Sequence, residues 1–198
     1  MGWLTRNSTF DILPALKGEI LRPFNHINPH YVDMPIGREP TMDRVWITNG
    51  STSIPPVVNP LIAACHDGYV PTDVHVLNNP IIDDITDAAT SLMKTVVTAQ
   101  GGEEPSITVE TIDEETDFEA ITAYLQSAIE ASDDANADIA VDISPGRRFW
   151  SVISFQAGIR HDVDHLYYSH VETEAYFGET YPTIPRTAIN LIDFTEVI

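Results

Sequence analysis

The sequence predicts an α/β protein: a Rossmann-like, doubly wound, mainly parallel sheet of about six strands with helices on both faces. Short β-branched apolar runs alternate along the chain with segments of helical period. The connections between them are short, which is typical of parallel strands joined by right-handed helical crossovers. Residues 1–43 differ, because they contain five prolines and little periodicity. They predict an irregular N-terminal arm before a Rossmann-like domain of residues 44–198.

The predicted strands and helices alternate in order along this domain. The strands are expected at residues 44–48, 73–77, 106–111, 137–143, 164–171 and 187–194. Helices are expected at about 56–67, 84–98 and 147–160, and a further helix carries Phe118, Ile121, Leu125 and Ile129 on one face. Residues 116–119 have the spacing of a capping box for that helix.

The charge of the chain restricts its partners. Ten basic residues face 30 acidic residues, which gives a net charge of −20, and the acidic residues are spread along the chain. This pattern is typical of a hydrated surface in a halophilic protein; a cationic partner is the less favoured reading. A polyanion would be repelled, so we expect no DNA binding. A small anion held by a local basic cluster remains compatible with this composition.

Two loops are the candidates for a ligand site. In an open parallel sheet the site lies beyond the carboxyl ends of the strands, where the strand order reverses. For the order 3-2-1-4-5 this point lies between strands one and four, at the loops TNGSTS (48–53) and DISPGRR (142–148). Both loops are rich in small and hydroxyl residues, and the second precedes a helix N-terminus. Such loops offer backbone N–H groups and hydroxyls to a phosphate.

Arg147 and Arg148 stand at the start of the helix after strand four. Cations there are unfavourable for the helix dipole, which favours acidic groups at this end. An anion bound between the two arginines would account for their position, and pairing with surface carboxylates is the alternative.

Several other chemistries are disfavoured. Neither loop has the glycine pattern of a dinucleotide-binding fold or a P-loop. The segment HDVDH (161–165) groups potential metal ligands, but a helix-to-strand turn is favoured and we expect no metal site. A hydrolase triad is disfavoured because no G-x-S-x-G motif occurs. Phe149 and Trp150 are interpreted as core or subunit-interface residues rather than a base-stacking platform.

The loops ITNGSTSIPPVV (47–58) and VDISPGRRFWS (141–151) resemble those of the CRISPR-associated Rossmann fold, or CARF, domains. The resemblance covers about residues 44–171 and departs from the family at Pro145, where a glycine or small polar residue is common. The sequence also lacks the C-terminal nuclease or winged-helix effector that many members carry, so we expect a stand-alone, single-domain member, and the acidic composition favours a haloarchaeal type. The resemblance implies a two-fold homodimer that binds a cyclic oligoadenylate across the dimer axis.

The resemblance also implies roles for individual residues. Ser51, Thr52 and Ser53 would face ribose and phosphate, and Gly146, Arg147 and Arg148 would neutralise phosphates. Some CARF domains cleave the ring without metal, by attack of a ribose 2′-hydroxyl on the adjacent phosphate. For that activity the expected catalytic residues are Ser51, Ser53, Arg147 and Arg148. The full expected ligand-binding set is Thr48, Asn49, Gly50, Ser51, Thr52, Ser53, Ser144, Gly146, Arg147 and Arg148.

Two alternatives remain open from the sequence. One is a non-catalytic sensor or scaffold that acts through a partner protein. The other is an unrelated Rossmann-like enzyme that acts on a different phosphorylated small molecule. We expect no cofactor. A cytoplasmic location is expected, because the N-terminus lacks a continuous apolar segment and no apolar run approaches the ~18 residues of a membrane span.

Overall fold

Strands and helices alternate through the domain, as expected. The computed structural model describes residues 42–198, apart from the side chain of Pro182, so the predicted N-terminal arm lies almost wholly outside the described residues. The strands are β1 (Arg44–Asn49), β2 (Asp73–Asn78), β3 (Ser106–Thr111), β4 (Asp138–Asp142), β5 (His165–Val171) and β6 (Ile189–Asp193). The helices are α1 (Ile54–His66), α2 (Asp83–Ala99), α3 (Phe118–Asp134) and α4 (Arg148–Arg160).

The strands form one sheet in the order β3-β2-β1-β4-β5-β6. β1 is parallel to both of its neighbours, β2 and β4, and β5 continues the parallel arrangement. β6 is antiparallel to β5 and closes that edge. The strand order therefore reverses between β1 and β4, and the predicted Rossmann-like fold is confirmed.

The helices cover both faces of this sheet. Alternate residues of β1 point to opposite faces, as in any strand, and both faces are buried here. Val45 and Ile47 belong to a core cluster with Ile121 and Leu125 of α3. Trp46 points the other way and stacks at 5.7 Å on Tyr167 of β5. The central strands are therefore fixed from both sides, which holds the loops at their carboxyl ends in place.

One cap differs from the sequence expectation. The capping-box spacing would make Thr116 the N-cap of α3, but the N-cap is Asp117, whose Oδ1 accepts a 3.0 Å hydrogen bond from the backbone N–H of Ala120. An aspartate at this position also complements the helix dipole, which explains why it takes the role.

Within residues 42–198, none of the helices has the length and apolar character required to cross a membrane.

Candidate ligand-binding site

The loops after β1 and β4 meet at the point of strand reversal. Gly146 has a φ of +92°, and a Cβ atom there would lie 3.1 Å from Cβ of Asn49 and 3.2 Å from the carbonyl oxygen of Gly50. This combination of left-handed backbone and close approach requires glycine. The sequence Ser-Pro-Gly after β4 therefore allows the second loop to lie directly against the first.

Gly50 brings the loop after β1 close to the end of β2. A Cβ atom on Gly50 would lie 2.7 Å from Cδ1 of Ile82 and 3.1 Å from the carbonyl oxygen of Leu77. Its backbone N–H donates a 2.6 Å hydrogen bond to that carbonyl oxygen. The loop after β1 is thus held between its two neighbours.

A pocket of about 190 Å³ lies among these loops. Five of the predicted ligand-binding residues line it: Gly50, Ser51, Thr52, Gly146 and Arg147. Five further residues complete its wall: Asn79, Ile81, Ile82, Glu115 and Trp150. The structure therefore brings half of the predicted set together with residues from two loops that the sequence analysis did not consider.

Three predicted residues lie beneath or beside the pocket. The buried Thr48 hydroxyl donates a 2.9 Å hydrogen bond to Oδ2 of Asp142. Asn49 is also buried, and its Nδ2 donates to Oγ of Ser154 at 3.2 Å. The hydroxyl of Ser144 accepts a 2.7 Å hydrogen bond from the backbone N–H of Ser169. These side chains hold the strand ends, and the pocket wall does not include them.

Ser53 and Arg148 stand at the starts of the two helices. Ser53 is the N-cap of α1, but its side chain caps no backbone N–H. Arg148 is the first residue of α4 and is exposed. Neither residue lines the pocket within one chain. Each follows a lining residue in the sequence, Thr52 and Arg147 respectively.

The two helix N-termini differ in what they offer an anion. Pro55 and Pro56 occupy the first turn of α1 and have no backbone N–H to donate. The first turn of α4 contains neither proline nor an acidic residue, and the side chain of its N-cap residue, Arg147, makes no capping hydrogen bond. The N-terminus of α4 is therefore the better end for an anion.

Arg147 is paired with a carboxylate. Its Nε lies 3.0 Å from Oε2 of Glu115, which precedes α3. The alternative reading of the basic loop, that its arginines pair with carboxylates, thus holds for Arg147. The pair is largely exposed, with side-chain exposures of 59% and 36%, so it contributes little to stability. The contact uses Nε, and a guanidinium carries four further N–H donors on its two terminal nitrogens.

Trp150 joins the pocket to the core. It is 2% exposed and belongs to the core cluster of α3 and α4, which confirms its predicted packing role. Its indole Nε1 donates a 2.9 Å hydrogen bond to the carbonyl oxygen of Glu115. Two contacts, one from Arg147 and one from Trp150, therefore tie the loop before α3 to the first turn of α4.

Asp142 is a fully buried carboxylate at the end of β4. Burial raises its pKa to about 7, while hydrogen bonds from Ser144 and Thr48 act in the opposite direction. It accepts from the backbone N–H of Ser144 at 2.9 Å through Oδ1 and from Thr48 through Oδ2. Asp142 thus links the end of β1 to the loop after β4 on the buried side of the pocket.

HDVDH (161–165) follows α4 and forms a turn and the start of β5, as predicted. His165 Nδ1 lies 2.7 Å from Oδ2 of Asp193, and its ring stacks on Tyr167 at 5.2 Å. Oδ2 of Asp164 accepts a 2.8 Å hydrogen bond from the backbone N–H of Ile139. Among residues 42–198, no cluster of three or more histidine, cysteine or acidic side chains could hold a metal ion.

The strand order expected from the sequence could also have identified the pocket residues after β2 and β3, which were not predicted. Parallel strands end at one edge of the sheet, so the loops after β2 and β3 face the same side as those after β1 and β4. Asn79 and Ile81 follow β2, and Glu115 follows β3. Only the two loops at the reversal point were predicted as the site, and the two neighbouring loops were not.

Two of three similar solved structures hold a cyclic oligonucleotide. Enterococcus italicus Csm6, bound to cyclic hexa-2′-fluoro-hexa-dAMP, is 17% identical with a TM-score of 0.50, covering 68% of this chain and 34% of that one. Vibrio cholerae protein VC1899 is 11% identical with a TM-score of 0.49, covering 63% and 30%. Sulfobacillus thermosulfidooxidans Can2, in complex with cyclic tetra-adenylate, is 9% identical with a TM-score of 0.46, covering 63% and 31%.

The described domain has a CARF-like Rossmann fold. This assignment rests on the similarity to Csm6 and on the sheet order around the reversal point. The chain spans about a third of the length of these three proteins. No family model and no curated protein matches the sequence.

Proposed function

We propose that this chain binds a cyclic oligoadenylate as a homodimer and acts in the cytoplasm in CRISPR antiviral signalling. The observation that carries the proposal is the pocket at the β1–β4 reversal, where Ser51 and Thr52 line the same space as Arg147. The CARF-like fold supports it, since Csm6 of similar fold is bound to a cyclic hexanucleotide analogue.

The pocket has the groups that a phosphodiester requires. Ser51 and Thr52 can donate from their hydroxyls and backbone N–H groups, whereas the N–H of Gly50 is used within the fold, and the guanidinium of Arg147 adds charge. The open N-terminus of α4 contributes further N–H donors on the same side. The chain as a whole is strongly acidic, and within residues 42–198 this local cluster is a place where a small anion can be held.

The small volume of the pocket favours a site in which two chains bind one ligand. Its volume of about 190 Å³ is below the ~300–1,000 Å³ of pockets that enclose a drug-sized ligand. A ring of four or six nucleotides is larger than such a ligand, so one chain supplies contacts to a part of it. Two copies related by a two-fold axis would supply equivalent contacts to the two halves of the ring.

The surface of α4 suits this dimer. In a chain with 30 acidic residues, the sequence RFWSVISFQAGIR of α4 contains none. Val152 is 66% exposed and Ile159 is 46% exposed on this helix. These two residues are seven positions apart, so they lie on the same exposed face of the helix. Contact through α4 keeps carboxylates out of the interface, and its N-terminus adjoins the pocket, so both pockets would lie near the dimer axis.

We further infer that the protein is a ring nuclease. A ribose 2′-hydroxyl of the ligand would attack the adjacent phosphorus, the bond to the 5′-oxygen would break, and the 5′-oxygen would take up a proton. The products are a 2′,3′-cyclic phosphate and a 5′-hydroxyl end. Ser51 and Ser53 would hold the ribose and phosphate in line, and Arg147 and Arg148 would stabilise the developing charge. A sensor or scaffold that acts through a partner protein is the alternative.

The test is a titration in molar KCl, because the proposed haloarchaeal origin and the charge of −20 predict that the protein works in high salt. Cyclic tetra-adenylate and cyclic hexa-adenylate are added separately, with binding measured by calorimetry and products by mass spectrometry. Cleavage supports the ring nuclease, and tight binding without cleavage supports the sensor. If neither ring binds, the proposal is wrong and another phosphorylated small molecule becomes the better substrate class.

A further inference from the structure

One wall of the pocket is apolar and is formed by the loop after β2. Ile81 on this wall is 83% exposed, the largest exposed fraction among the large apolar side chains in the described part of the chain. Ile82 beside it is buried against Gly50. An isolated exposed isoleucine is unremarkable on a surface, but this one stands at the rim of a pocket that carries donors on its other side.

The loop holds Ile81 in this position through Asn79. The side-chain Oδ1 of Asn79 accepts a 3.1 Å hydrogen bond from the backbone N–H of Ile81. Its Nδ2 donates to the carbonyl oxygens of Ile112 and Asp113 at 2.9 and 3.2 Å. The buried asparagine thus anchors the loop to the end of β3, and the exposed isoleucine follows from a defined turn.

Glu115 supplies an acceptor on the same pocket. Its main chain is fixed by the indole of Trp150, and its Oε2 contacts Arg147. A carboxylate has two oxygens and can accept from more than one donor. The Arg147 contact uses Oε2 and offsets part of the negative charge, and the second carboxylate oxygen can accept from a donor group of the ligand.

We infer that Ile81 and Glu115 form the base subsite of the pocket, and that Glu115 determines specificity for adenine. The inference rests on the proposed function. Ile81 would pack against the face of the purine ring, and the carboxylate would accept a hydrogen bond from the exocyclic amine at C6. Hypoxanthine carries a carbonyl oxygen at C6, which would face the carboxylate oxygen without a hydrogen between them.

The experiment compares cyclic oligoadenylate with cyclic oligoinosinate of the same ring size, tetrameric and hexameric, by calorimetric titration. The wild type should bind the adenylate ring at least about tenfold more tightly, since a hydrogen bond to a charged acceptor is worth about that factor. Glu115→Gln should abolish most of this preference, because an amide can either accept or donate. Glu114→Gln, an equal charge change at an exposed neighbour, should retain it.

The ratio of the two affinities separates base recognition from other roles of Glu115. Loss of the Arg147 contact or of phosphate repulsion changes both affinities by the same factor and leaves the ratio unchanged. Equal wild-type affinity for both rings, or a preference that persists in Glu115→Gln, would overturn the inference while the proposed function stands. If the wild type binds neither ring, the proposed function fails and the inference fails with it.

Ile81→Ser tests the other half of the subsite. It should weaken binding of both rings severalfold, whereas Val109→Ser, at an exposed position on β3, should not. Light scattering accompanies the titration. If Ile81→Ser turned a dimer into a monomer, the side chain would be a subunit contact and its assignment to the base subsite would be wrong.

Discussion

The hydroxyl of Thr48 and the carboxylate of Asp142 form a 2.9 Å hydrogen bond between the two central strands, at the point where the strand order reverses. The other carboxylate oxygen accepts from the backbone N–H of Ser144 at 2.9 Å. One buried side chain thus fixes the end of β1 and the start of the loop after β4. The pocket above depends on this link, because the two candidate loops leave from these strand ends.

Replacement of Asp142 by asparagine should alter the dependence of stability on pH. The folded-state pKa of Asp142 is about 7, above the unfolded value of 3.8. Its contribution to the free energy of unfolding is therefore fully present below the unfolded value and is lost as the pH rises through about 7. The wild type should lose stability relative to Asp142→Asn as the pH rises from about 4 to about 7 and change little above that, measured by urea unfolding.

The control for this measurement is Asp133→Asn, at an exposed position on α3. The difference in free energy of unfolding between this variant and the wild type should be nearly independent of pH over the same range. A pH-independent difference for Asp142→Asn as well would contradict the assignment of a raised pKa to this carboxyl group.

Gly146→Ala should reduce both stability and ligand affinity. The added Cβ would strain a left-handed backbone by roughly 1–2 kcal/mol and would also press on Asn49 and Gly50 at 3.1–3.2 Å. Gly178→Ala is the matched control, because Gly178 has a similar φ of +86° with no atom within 4 Å of the added Cβ. The control should lose stability but bind cyclic oligoadenylate normally, which calorimetry can establish.

The double variant Arg147→Ala with Arg148→Ala should bind cyclic oligoadenylate more than about a hundredfold more weakly than the wild type. The reason is that each charge-assisted hydrogen bond to phosphate contributes about 1.5–3 kcal/mol. Arg147→Ala alone should have the larger single effect, because Arg147 lines the pocket. Arg160→Ala, at the far end of α4, is the control. An unchanged affinity in the double variant would refute the site.

Val152→Asp should convert the expected dimer into a monomer. The substitution places a carboxylate on the exposed face of α4, next to its symmetry mate in the proposed interface. Ser127→Asp, on an exposed position of α3, makes the same charge change elsewhere. Light scattering in molar salt reports the mass of each. A wild type that is already monomeric at micromolar concentration would contradict the dimer.

Ser51→Ala should slow ring cleavage more than it weakens binding, because in-line positioning matters most in the transition state. Ser53→Ala should do the same, because the Ser53 hydroxyl makes no capping hydrogen bond to α1 and is available to the ligand. Cleavage should persist in EDTA and leave a 2′,3′-cyclic phosphate, identified by mass spectrometry. Plain 3′-phosphate ends, or loss of turnover in EDTA, would contradict the proposed chemistry.

The sequence by itself determined the order of strands and helices and the loops at the reversal point. Periodicity and turn residues are local signals, and the right-handed crossover rule converts their order into a sheet. The Asn49-Gly50 and Pro145-Gly146 pairs mark sharp turns, so the two loops could be predicted as a site. The antiparallel orientation of β6 was not predicted, because an added strand can pair with the edge of a sheet in either direction.

The tertiary structure alone decided which side chains face the pocket. Thr48 and Ser144 carry the same hydroxyl as Thr52 and Ser51, but the first two point into the sheet toward Asp142 and Ser169, and the last two reach the pocket. The contact of Arg147 with Glu115 joins residues 32 positions apart. Such pairings depend on the packing of α3 beside α4, and no local pattern in the chain encodes that distance.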